Sequence, residues 1–388
     1  MNEQKTPAQP KARKKIDWLR WVMILAFALV GFLFAGLMIN TMETAEANGA
    51  TGGRVALLWI LLMIGMYAVI FGHIVVHEGG HLVFGLLTGY RFVSFRVGSL
   101  MLMKNEQGYH LRKMRLGGTG GQCLLDPPQI VDGRMPNVLY NLGGCLMNLL
   151  VGVVSVGIAL LCPAGSIWRT LLLLSGIVGL MYALLNGLPI TGDMPNDGRN
   201  AMELGKDPEA LQAFRTQLVL NRLSAEGLRL RDMPEEHFVW PSEESHGNAL
   251  IANNGIICCN RLLDEHRFDE CAARIDELLV STQDRLPAMF RCLLINDRIY
   301  LHLLAGEKEN AESLMDQEQQ QFCKTMKGQL PIHRTEYALA LLTGDAQKAG
   351  KALKAFDKAA NGYPHQQEVE SERELMTLAQ QAAAVSAE

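Results

Sequence analysis

The run His73-Ile74-Val75-Val76-His77-Glu78-Gly79-Gly80-His81 places four ionisable side chains inside an otherwise apolar helical pattern. His77 and His81 stand at i and i+4, so a helix turns both imidazoles to one face, where they can share a metal ion with Glu78 beside them. In hydrolytic zinc sites with this HExxH spacing, two neutral imidazoles and a third protein ligand hold the ion. Water takes the open position, and the glutamate accepts its proton. The five-residue pattern also recurs by chance, but its setting sharpens it. Two histidines and a glutamate inside a membrane segment are costly without a metal, partners or water. The bland alternative is a set of polar groups satisfied between packed helices. His73, one turn earlier on the same face, could be a ligand, a group behind the ligands or part of the lining of a water-filled approach; since HExxH already supplies both histidines, it is read as standing behind the ligands or as structural. Gly79 and Gly80 weaken the helix, yet they let another backbone come close.

A tetrahedral zinc needs a third protein ligand, and the fourth apolar run ends in Asn186-Gly187-Leu188-Pro189-Ile190-Thr191-Gly192-Asp193-Met194-Pro195-Asn196-Asp197-Gly198-Arg199. Asp193 and Asp197 are both candidates there. In the third run, Gly144-Cys145-Leu146-Met147-Asn148 buries an amide. Asn148 could donate to a developing oxyanion or bond across helices.

The elements that must position these groups are long apolar helices. Trp21 to Asn40 carries no charge across twenty residues, and about 20 apolar residues in a helix cross the hydrocarbon core. That length exceeds the apolar core of a signal peptide, so a retained anchor is expected. Further apolar runs begin near Val55, cover Val138 to Leu161, and cover Ile167 to Leu188, making about four spans. Residues 1–200 carry 16 Lys and Arg against 10 Asp and Glu, leaving net charges of +6 and −10 on the two halves of the 388-residue chain. Basic residues gather before the first span and between residues 91 and 115, while the 41–53 connection offers only Glu43 and Glu46. The positive-inside rule then places the N-terminus, the 90–135 segment and the C-terminal half in the cytoplasm of a multi-pass cell-membrane protein. The eight cysteines form no CxxC pair and read as small buried hydrophobes in a reducing compartment.

With both motifs in view, residues 54 to 200 resemble the site-2 protease family of intramembrane zinc metalloproteases. His77, Glu78 and His81 match that family's HExxH, and Asn186, Pro189, Asp197 and Gly198 match its Asn-x-x-Pro stretch followed by Asp-Gly. The resemblance implies a zinc endopeptidase with His77, His81 and Asp197 as metal ligands and Glu78 as the catalytic base. Its substrate would be a membrane-associated protein or peptide cleaved near the cytoplasmic face. Asp193 has nearly the family's usual separation from the proline but lacks the following glycine; Asp197 keeps Asp-Gly after an insertion and is preferred. Gly144 to Asn148 is similar to the family's Gly-Pro-x-x-Asn, with Cys145 in place of proline. Residues 92 to 125 resemble its β-hairpin segment, which could pair with an extended substrate or merely cap the helices.

Beyond Arg199 the apolar runs shorten. Helix starts after His266, Gly306 and Gly344 recur at 40 and 38 residues, similar in kind to tetratricopeptide repeats, though with a longer period. Residues 232 to 247 read as a connecting loop. The expected fold is mainly α: a basic N-terminal segment over 1–20, a transmembrane helical bundle with a short β-hairpin segment over 21–200, and a soluble helical-hairpin-repeat region over 201–388. The repeats suit a cytosolic protein partner, and the acidic balance argues against nucleic acid. A non-catalytic membrane adaptor with a structural or vestigial metal site is the alternative to the enzyme.

Overall fold

The computed structural model describes residues 18–105, 108–113, 120–190, 195–282, 285–361, 363 and 365–385. The basic N-terminal segment before Trp18, Gly117 to Thr119 and the candidate ligand Asp193 lie outside the described residues.

Helices α1 (Trp18–Ala47), α2 (Gly52–Leu87), α3 (Val138–Leu161) and α4 (Ile167–Gly187) are each long and apolar enough to cross a membrane, with mean hydropathies of 2.7, 2.5, 2.3 and 1.8. Large apolar side chains such as Leu25, Phe32, Trp59, Ile64, Leu150 and Trp168 stand exposed on them. So much continuous apolar surface is sustained by lipid rather than water, which suits a multi-pass membrane protein. The interior of the bundle is formed by Val30, Phe34, Leu62, Leu174 and Val178. Small residues let the backbones approach. A Cβ on Gly152 would lie 3.3 Å from the Gly176 carbonyl oxygen, so α3 and α4 cross closely there.

Strands β1 (Arg91–Val97), β2 (Leu100–Asn105), β3 (Gly108–Lys113) and β4 (Gly121–Asp126) follow α2 and form an antiparallel sheet in the order β3-β2-β1-β4. The expected hairpin is thus part of a four-stranded sheet. Tyr90, Leu125, Tyr140, Leu211 and Phe214 pack together beneath it, joining the sheet to the start of α3 and to the helices that follow.

After α4 the chain makes α5 (Asp197–Glu203), α6 (Pro208–Ala225), three short 3-10 turns between Leu230 and Gly247, α7 (Ala249–Asp264), α8 (Phe268–Thr282), α9 (Ala288–Leu304), α10 (Lys308–Leu314), α11 (Gln317–Thr325), α12 (Leu330–Leu342), α13 (Ala346–Ala360) and α14 (Gln366–Val385). The repeat starts are visible in the backbone: His266, Gly306 and Gly344, each two residues before a helix, take φ values of 59°, 76° and 70°. The last two are glycines, for which this left-handed conformation carries no Cβ penalty. Leu262, Ile275, Leu278, Leu294, Ile299 and Tyr300 form the core of the stacked hairpins.

Candidate metal site

His77 and His81 lie on the inner face of α2. His81 Nδ1 donates to the Tyr140 carbonyl oxygen at 2.7 Å, a bond that leaves its Nε2 lone pair free. His77 sits over Gly144 of α3, where a Cβ would lie 2.6 Å from the imidazole, so glycine is what gives the ring its space. The two Nε2 atoms are 3.1 Å apart.

Asp197 completes the cluster from α5. Its Oδ2 stands 3.1 Å from His77 Nε2 and 3.5 Å from His81 Nε2. The loop chemistry accounts for this placement. Asn196 caps α5 by accepting from Arg199 N, and its amide donates to the Leu185 and Leu188 carbonyls at the end of α4. Gly198 then rests on α4: a Cβ there would be 2.1 Å from the Gly187 carbonyl oxygen. The Asp-Gly pair is therefore a packing requirement, since only glycine lets the first turn of α5 press its aspartate against the histidines. Burial alone would push the Asp197 carboxyl up, but the hydrogen bond with His77 and the nearby His81 imidazole outweigh it and hold the group at about 2.

The three atoms suit a small divalent ion. With zinc–ligand bonds of about 2.0–2.1 Å, the edges of a tetrahedron are roughly 3.3–3.4 Å. The observed edges of 3.1, 3.1 and 3.5 Å bracket that value. Two neutral imidazoles and a carboxylate form a donor set that zinc accepts.

Glu78 is buried beside this cluster, against β4. A Cβ on Gly121 would lie 2.6 Å from Glu78 Oε1, so the strand backbone passes directly over the carboxylate. Arg96, 1% exposed, donates to the carbonyls of Gly98 and Gly121 and thereby ties the end of β1 to β4. Sequence reasoning counted Arg96 only among the basic residues between 91 and 115 and gave no role to the Tyr140 carbonyl.

Asn148 is wholly buried between His77 and His73. Its Nδ2 is 3.1 Å from His77 Nδ1, and its Oδ1 is 2.9 Å from His73 Nδ1. His73 therefore stands behind the candidate ligands rather than among them. Cys145, read from sequence as a small hydrophobe, comes unexpectedly close: ligand atoms of His77, Cys145 and Asp197 all lie within 4.8 Å of one another. The one sequence signal was its position three residues before Asn148, on the same face of α3.

Comparison with protein-family models, curated proteins and solved structures returned no match.

Proposed function

We propose that the chain is an intramembrane zinc metalloendopeptidase of the site-2 protease kind, acting on a membrane-associated protein or peptide. The observation that carries this reading is the convergence of His77 Nε2, His81 Nε2 and Asp197 Oδ2 beside the buried Glu78, at the inner face of a lipid-exposed helix. The motif resemblance noted above supports it. Zinc held by these three groups would act as a Lewis acid toward a peptide carbonyl and make water more acidic.

The residues of the chain supply the rest. Glu78 accepts a proton from water as its oxygen attacks the scissile carbonyl carbon. The same carboxyl then passes that proton to the amine nitrogen as the C–N bond breaks. β4 is the edge strand of the sheet nearest Glu78, with β1 as its partner in the strand order. An extended peptide laid along β4 would be held with its helix unwound, exposing peptide bonds otherwise shielded by their own hydrogen bonds. Arg96 steadies the part of β4 that would receive it. The charge distribution favours a cytoplasmic sheet and C-terminal region. There, a cavity of about 410 Å³ lined by Gln217, Arg229, Asn253, Asn260, Asp264 and Glu372 offers a place for a cytosolic partner.

The test is Glu78→Gln in the full chain, with zinc content and cleavage of a membrane-anchored reporter peptide measured together. Retained zinc with cleavage reduced by 10²-fold or more supports the reading; cleavage at the parent rate refutes it. A second reading, a non-catalytic adaptor with a structural metal site, is favoured by Cys145. If its thiolate closes the fourth position, no slot remains for water.

A further inference from the structure

A chain of polar side chains runs from the candidate metal site into the membrane-embedded bundle. His77 Nδ1 meets the Asn148 amide, Asn148 meets His73 Nδ1 at 2.9 Å, His73 Nε2 meets Ser175 Oγ at 3.0 Å, and Ser175 Oγ meets Ser155 Oγ at 2.9 Å. These five residues lie on α2, α3 and α4. The space is purpose-shaped: a Cβ on Gly179 of α4 would lie 2.9 Å from His73 Cε1 and 2.6 Å from the Asn148 carbonyl oxygen. So long a polar chain in an apolar bundle is costly unless every donor meets an acceptor.

The direction of the hydrogen bonds can be worked out from one end. In the observed arrangement Asn148 Nδ2 faces His77 and Oδ1 faces His73. The amide then donates to His77 Nδ1, His77 carries its proton on Nε2 and shares it with Asp197, and His73 donates from Nδ1 to the amide oxygen. A metal ion at His77 Nε2 takes that lone pair, so the ring proton must sit on Nδ1. Two donors would now face each other. Turning the amide by 180° exchanges Oδ1 and Nδ2 at no steric cost and removes the conflict. The oxygen then accepts from His77 Nδ1, and Nδ2 donates to His73 Nδ1. His73 moves its proton to Nε2 and donates to Ser175, which donates to Ser155. Each histidine keeps one proton, and the net charge of the three helices is unchanged by the reversal.

We infer that Asn148 and His73 form a positioning relay whose direction is set by metal occupancy, with Asn148 serving as hydrogen-bond acceptor for the metal-ligating His77. This rests on the metal reading of the site and deepens it. Asn148 is then a positioning residue. In the relay form its amide nitrogen faces His73, to which it donates one hydrogen, and its oxygen faces His77.

The test uses the full chain in nanodiscs with ¹⁵N-labelled histidine, the His73 signals being identified by their loss in His73→Gln. On adding one equivalent of zinc, His73 should pass from the Nδ1–H to the Nε2–H tautomer. Stoichiometric zinc uptake with an unchanged His73 tautomer overturns the relay alone; no stoichiometric uptake overturns the metal reading and the relay with it. A second measurement uses chelator competition. Asn148→Ala should weaken zinc binding by about 10–100-fold, the usual cost of losing a partner behind a ligand. Asn148→Asp, which accepts from both histidines but donates to neither, should bind zinc close to the parent. Equal weakening in both variants refutes the acceptor role.

Discussion

Gly80 faces α3 where the backbones of α2 and α3 meet beside the candidate site. A Cβ at this position would lie 2.2 Å from the Gly143 carbonyl oxygen, 2.6 Å from its carbon and 2.8 Å from Gly144 Cα. A methyl carbon and a carbonyl oxygen come no closer than about 3.2 Å, so Gly80→Ala demands roughly 1 Å of separation. Every atom in the way is backbone, and no rotamer change can relieve the overlap. The contact is mutual, because a Cβ on Gly143 would lie 2.6 Å from the Gly80 carbonyl oxygen. Overpacking typically costs about 1–3 kcal/mol, and a backbone-on-backbone clash belongs near the upper value. The site should suffer more than the fold. α2 carries His77 and His81, while α3 supplies the Tyr140 carbonyl at 2.7 Å and the Asn148 amide at 3.1 Å that orient them. A shift of about 1 Å breaks both bonds, whereas metal–ligand distances tolerate about 0.2 Å. Gly79→Ala is the matched control, since among the described residues nothing lies within 4 Å of its Cβ and alanine favours the helix by up to about 1 kcal/mol. Thermal unfolding and zinc per chain after equilibrium dialysis should show Gly80→Ala melting lower with substoichiometric metal. Gly79→Ala should melt at or above the parent with full metal. A Gly80→Ala chain that melts and binds zinc like the parent would refute the argument.

Asp197→Ala should lose stoichiometric zinc while Cys145→Ala keeps it, by metal analysis of the purified chains; the opposite pattern would transfer the third ligand to the thiol. In the helical region, burial pushes the Glu372 carboxyl up to about 7 against the partial relief given by Arg334. A carboxyl raised from its ordinary 4.5 contributes stability that is complete below that value and is lost as pH rises through about 7. Thermal unfolding of the helical region should therefore weaken from about pH 4.5 to 7, and Glu372→Gln should flatten that slope; an unaltered slope in the variant counts against it.

The parts of this architecture legible in the sequence are those that a local period determines. Apolar runs long enough to span lipid appear as α1 to α4, and the i, i+4 spacing of His77 and His81 brings their Nε2 atoms to 3.1 Å. Helix starts after His266, Gly306 and Gly344 recur as read because each turn needs a left-handed residue at a fixed place. The close approach expected at Gly79 and Gly80 occurs at Gly80, on the face toward α3. What stayed hidden depends on atoms that sequence does not distinguish or on elements that meet only in space. A backbone carbonyl, that of Tyr140, orients His81, and no residue type signals it. The role of Asn148 was open because an amide can donate or accept, and only the juxtaposition of His77 and His73 on its two sides gives it a direction. Asp197 is legible afterwards through Gly198: the glycine sits on the Gly187 carbonyl oxygen, a contact between the end of one helix and the start of another. Side chains that would touch a metal are therefore encoded locally, while the groups that decide where their protons lie are encoded in tertiary packing. Substitutions at Gly80, Gly144 and Gly198, which leave every candidate ligand in place, should for that reason damage the site as surely as removing a histidine.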